Sequence, residues 1–219
     1  LVSFHTFSSR RSDSSVRAWL TLVCLAMLQF FIAIDVTVVN VALPSIGAEF
    51  GASERQLTWV VVAYTIAGGG LLMLGGRLGD MFGRRRILLA GTAIFGAASL
   101  LAGTAWSFPI LVAARLLQGV GEALALPAAM AIIVMLFPEG TPRSRALGVW
   151  AAVASCGLVL GFVLSGIITE FLGWRSIFLV AIPFVAIVLV ATSFLVPPGR
   201  SLERVPLDLR GAVLLTVTP

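Results

Sequence analysis

Six apolar runs, each long enough to cross a bilayer and each closed by a short charged or glycine- and proline-bearing stretch, limit what this chain can fold into. They cover about Trp19 to Val41, Leu57 to Leu78, Ile87 to Ala105, Phe108 to Phe137, Ala146 to Leu172 and Arg175 to Val196. In hydrocarbon every backbone N–H and C=O must find a partner inside its own segment or barrel, so runs of this length predict helices. The expected fold is an all-α integral membrane bundle. Composition agrees, with 59% hydrophobic and 11% charged residues, against roughly a quarter charged in soluble domains.

The segments on either side differ from the runs. Residues 1–17 are polar and serine-rich and read as a disordered cytoplasmic tail, ahead of a six-span region over 18–196. Residues 197–219 begin as a linker, where Pro197, Pro198, Gly199 and Pro206 stop any helix. From Leu209 the chain turns apolar again for about eleven residues, and a span needs roughly 20. This stretch reads as the truncated start of a seventh span.

All 15 basic residues are arginine, and 12 of them fall in the tail, the loops after spans two and four, and the linker. The opposite loops hold only Arg55 and Arg175. Strict alternation of this kind predicts a multi-pass protein of the cell membrane with its N-terminus and linker in the cytoplasm. The clustering between apolar runs also argues against nucleic-acid binding, which needs one basic face. Cys24 and Cys156 stand alone inside apolar runs, so neither a metal nor a redox centre is expected. No cofactor is implied, and the one histidine, His5, lies in the tail with no nucleophile paired to it.

Three ionisable residues interrupt the runs: Asp35 in span one, and Arg115 and Glu122 in span four. Each costs at least ~2.5 kcal/mol if it faces lipid, so they are expected to face the bundle interior. Arg115 and Glu122 are two turns apart on one helix face, about 10 Å along the axis. A carboxylate there can load a proton on one side of the membrane and release it on the other. The plainer alternative is an interior ion pair that fixes helix register. Thr37, Asn40, Gln118 and Ser155 are polar groups near these charges, and Gly157 and Gly161 provide the close-packing surface expected of span five.

Between spans two and three lies Gly76-Arg-Leu-Gly-Asp80-Met-Phe-Gly83-Arg84-Arg85-Arg86, a charged stretch whose three glycines suit a tight reversal. It resembles motif A of the major facilitator superfamily, and the run from Leu111 through Arg115, Gln118 and Gly119 to Gly121 resembles motif B. Ile34 to Pro44, with Asp35, Thr37 and Asn40, is similar to the span-one signature of the fourteen-span drug:proton antiporters. The resemblance implies the six-helix N-terminal bundle of that fold. It implies that Asp80 and Arg84, with Gly76, Gly83 and Arg85, form a cytoplasmic latch closing partly against a C-terminal bundle. It also implies that Arg115 serves proton-linked switching, and that Asp35 and Asn40 lie toward a central cavity. The family's antiporter motif in span five is altered, reading Gly157 to Gly161, then Phe162 and Ser165 before Gly166. Glu122 stands where motif B has a small residue.

The function so implied is proton-coupled efflux of small amphipathic or cationic compounds, with lipid, protons and a small-molecule substrate as partners. The alternative is a truncated half-transporter without independent activity, or a half that needs a partner bundle.

Overall fold

A computed structural model describes the backbone of residues 5–196 and the side chains of residues 15–196; the linker and the start of a seventh span lie outside the described residues. Six helices follow one another: α1 (His5–Phe50), α2 (Glu54–Phe82), α3 (Arg84–Gly103), α4 (Phe108–Leu136), α5 (Thr141–Leu172) and α6 (Arg175–Leu195). All six are long and apolar enough to cross a membrane. At 1.5 Å per residue the 29-residue α2 and α4 extend about 44 Å, beyond a hydrocarbon core of about 30 Å, so they tilt or project from it.

Two boundaries differ from the expected ones. Helix α1 begins at His5, covering most of the segment read as a tail, and it runs on through Pro44 to Phe50. A nucleated helix propagates cheaply, and no glycine or proline precedes Pro44 to stop it. Pro44 removes one intrahelical bond, but packing of the fully buried Ile46 beyond it holds the helix in place. The chain reverses only at Gly51, in the left-handed region at φ 63°. The Ser53 N–H then donates to Gln56 Oε1 at 2.9 Å and opens α2.

The second difference lies in the charged stretch from Gly76 to Arg86. Helix α2 continues through Gly76 and Gly79, and Gly83 alone breaks it, at φ 94°. A helical glycine costs only about 1 kcal/mol, which close packing recovers here. A Cβ on Gly75 would overlap the carbonyl oxygen of Ala123, and one on Gly76 would lie 3.7 Å from Pro127 Cβ. Pro127 has no N–H to offer Ala123, four residues before it. That carbonyl therefore turns to the bare face of α2.

The helices pack as two triplets. Helix α4 lies between α2 and α3, and α1 lies between α5 and α6; α3 joins α6 across the seam, and α1 also touches α2 and α4. Exchanging α1–α3 with α4–α6 maps each of the main pairings onto another. The two central helices, α1 and α4, therefore occupy equivalent places.

The interior holds two apolar clusters, one at each end. Leu25, Ile32, Phe95 and Ile132 belong to the cluster toward the arginine-rich end, and Val39, Ile46, Leu111 and Phe178 to the other. At the arginine-rich end, arginines satisfy helix C-termini, whose last carbonyls have no intrahelical donor. Arg17 donates to Leu195 O at 2.9 Å and Phe194 O at 2.8 Å, and Arg85 donates to Ser193 O at 2.7 Å. Arg143 serves α4 in the same way through Phe137 O at 3.1 Å. At the other end Glu49, beyond the apolar run of α1, accepts from Trp174 Nε1 at 2.8 Å and Arg175 Nη1 at 2.7 Å.

Candidate functional site

Between the two apolar clusters lies a single polar layer. Asp35 on α1 sits between Ile32 and Val38, Ser99 on α3 between Phe95 and Ala102, and Arg115 and Gln118 on α4 between Ala114 and Ala125. Arg115 Nη1 pairs with Asp35 Oδ2 at 2.5 Å and donates to Gln118 Oε1 at 2.8 Å; its Nε donates to the Val60 carbonyl of α2 at 3.1 Å. The Gln118 amide donates to Asp35 Oδ1 at 3.2 Å and to Ser99 Oγ at 2.9 Å, and Ser99 donates to Phe95 O at 2.8 Å. The guanidinium also lies over the Tyr64 ring, 4.2 Å from its centroid. Arg115 is 1% exposed and Asp35 6%, so the pair is dry and both oxygens of Asp35 are engaged.

The layer can form because glycines let three helices meet at α4. A Cβ on Gly119 would fall against Tyr64 O and Ala67 of α2, and one on Gly121 would lie 2.6 Å from Phe95 N of α3. Helix α5 approaches α1 in the same manner. Cβ atoms on Gly157 and Gly161 would crowd Ala33, Phe30 and Ile34. One turn further along, Ser165 donates to Val38 O at 2.7 Å. Gly166 is exposed and a Cβ there would meet nothing within 4 Å, so the third small position against α1 is Ser165.

Asn40 does not join the layer. It is exposed, and its amide donates to Val36 O of its own helix at 2.9 Å. Thr37 likewise bonds back to Ile34 O at 3.0 Å, and Ser155 to Ala151 O at 3.1 Å. Glu122 lies one turn from Gln118 on the same face, partly buried, with no ion pair among the described residues. A Cβ on Gly68 would lie 2.8 Å from its Oε2. The buried Tyr64 hydroxyl neighbours this carboxyl.

In the charged stretch Asp80 and Arg84 form an i,i+4 pair at 3.0 Å across the Gly83 break, with side chains 54% and 27% exposed. Arg84 reaches the Ala131 carbonyl of α4 only at 3.5 Å. An exposed pair of this kind adds little stability by itself. Arg85, by contrast, is tied to α6.

These features define a multi-pass membrane protein of two exchangeable three-helix units, a build that recurs in transporters made of internal repeats, with an ion pair sealed between its two central helices. The chain belongs to the Major Facilitator Superfamily, whose family model matches residues 25–217. It is 53% identical, over 96% of its own length, to a lincomycin resistance protein of Streptomyces lincolnensis, of which it covers 44%. It is 44% identical over 90% of its length to a puromycin resistance protein of Streptomyces alboniger, covering 39% of that protein. With a cephamycin export protein of Amycolatopsis lactamdurans the values are 43%, 94% and 43%. The chain spans less than half the length of these curated relatives.

Proposed function

We propose that this chain forms one bundle of a proton-coupled exporter of small amphipathic or cationic compounds, of the multidrug type. In this reading it resides in the plasma membrane with its N-terminus in the cytoplasm, the orientation that the arginine distribution favours. The observation that carries it is the Asp35–Arg115 pair, sealed in a dry layer between the two equivalent central helices. Protonation of Asp35 cancels its attraction for Arg115 and loosens α1 from α4; loss of the proton restores it. Such a switch biases two packings of one bundle against another, which is how these folds alternate access. One proton entering through 100 mV supplies about 2.3 kcal/mol before any pH gradient is added.

The test is proton movement in vesicles carrying a trapped pH dye. Lincomycin or puromycin, the compounds for which two of these relatives are named, is expected to drive protons across the membrane. Asp35→Asn and Arg115→Ala should each lower that flux about tenfold or more. Flux unchanged in both variants overturns the assignment of coupling to this pair.

A second reading, a half that needs a partner bundle, draws support from α5. Only 17% of its apolar window is buried, against 56% for α1, and Phe162 and Val163 are more than half exposed. Proton-coupled transport by the monomeric chain alone would remove it.

A further inference from the structure

We infer that Ser99 on α3 is a positioning residue for the Asp35–Arg115 pair: it holds the Gln118 amide one way round while Asp35 is ionised, and passes a change at that carboxyl from α1 through α4 to α3. The inference rests on the export reading above and names the groups through which its switch reaches a third helix. Ser99 and Gln118 are both 0% exposed. At that depth each donor has to be matched to an acceptor among its neighbours.

The donors and acceptors allow one arrangement. An ionised Asp35 only accepts, and it takes Arg115 Nη1 at Oδ2 and the Gln118 amide at Oδ1. The Gln118 oxygen accepts from Arg115 at 2.8 Å, and its nitrogen donates to Asp35 at 3.2 Å and to Ser99 Oγ at 2.9 Å. Ser99 has a single proton, which goes to Phe95 O at 2.8 Å, so its oxygen is left to accept. Turned over, the amide would set its oxygen against the carboxylate and its N–H groups against the guanidinium. Ser99 thus supports, from α3, the orientation that both charges require.

A proton on Asp35 Oδ1 reverses that preference. The acid then carries an O–H where the Gln118 N–H already points, and two opposed donors are relieved when the amide turns over. The Gln118 oxygen now accepts from Asp35 and lies at Ser99, whose proton leaves Phe95 O to meet it. That transfer matters to α3, because a serine hydroxyl bonded to the carbonyl four residues back tends to bend a helix. The bend falls where α3 and α4 approach closely, since a Cβ on Gly121 would lie 2.6 Å from Phe95 N. The titratable groups that face Asp35 are Arg115 and Glu122 of α4 and Tyr64 of α2. Ser99 hydrogen-bonds to none of them, so its partner exchange reads the Gln118 amide.

The chain has three glutamines, Gln29, Gln56 and Gln118, so isotope-labelled glutamine gives a magnetic-resonance spectrum of three side-chain amides for the chain in lipid nanodiscs. Acidification is expected to move the Gln118 amide protons. Asp35→Asn, neutral and carrying an N–H at the same place, should show the moved signal at every pH. Ser99→Ala should abolish the response to acid, and in vesicles it should lower kcat for lincomycin-driven proton flux about fivefold with KM unchanged, since one buried hydrogen bond is lost and no substrate contact. Gln118 signals that ignore both acid and Asp35→Asn, or that respond equally with Ser99→Ala in place, overturn the inference. Absence of flux while the amide still turns would remove the export reading and leave the relay; flux with an unmoved amide would do the reverse.

Discussion

At the scale of single residues the decisive quantity is the cost of an unpaired charge inside the bundle. Removing one partner of a buried pair typically costs about 3–5 kcal/mol, because the other charge stays behind without compensation. Asp35→Ala and Arg115→Leu are therefore each expected to lower the thermal unfolding midpoint in detergent sharply. The double variant should lose much less than the sum, and a strictly additive loss would show that the pair is not coupled in solution. Glu49 differs because it lies beyond the apolar run. Its hydrogen bonds to Arg175, and secondarily to Trp174, hold its pKa below the ordinary 4.5. A depressed carboxylate contributes stability that is present above its unfolded value and lost as pH falls through the folded one. Acid titration of the wild type should therefore show a loss of stability below about pH 4.5 that Glu49→Gln abolishes. With 43% of the side chain exposed, the effect is small.

At the scale of helices, contact surfaces decide more than propensity. Gly75 and Gly69 share α2, yet a Cβ at Gly75 overlaps the Ala123 carbonyl while one at Gly69 meets nothing within 4 Å. Gly75→Ala should separate α2 from α4 and lower stability by a few kcal/mol. Gly69→Ala should be neutral or gain a few tenths. Equal melting temperatures for the two variants would contradict the close approach. The same contrast shows what sequence can and cannot reveal. Long apolar runs separated by arginines predict six spans, and Asp35, Arg115 and Glu122 are legible as interior groups because a charge is costly in lipid, with Gln118 legible only as a polar neighbour. Ser99 and Tyr64 were not, since a serine among alanines or an aromatic in an apolar run reads as packing until its neighbours are known. The break at Gly83 was blurred for a similar reason. Three glycines stand in that stretch; Gly76 lies against Pro127 of α4, and Gly83 alone takes a positive φ and breaks the helix.

At the scale of the molecule the exchange symmetry of α1–α3 with α4–α6 places opposite charges on the two equivalent helices, so a change in either charge is felt at the centre of both halves. The arginine-rich end adds a constraint. Arg17 of α1 and Arg85 of α3 both grip the last carbonyls of α6, which ties the start of α1, the charged stretch and the exit of α6 into one rigid corner. The polar layer also has a consequence for biosynthesis. Asp35 and Arg115 are 80 residues apart, so at ~5–20 residues per second the first span waits about 4–16 s for its counter-charge to be made. During that interval it must stay inserted by the strength of its leucines, valines and isoleucines alone, and a chain that stalls before α4 exposes a bare carboxylate to lipid-phase quality control.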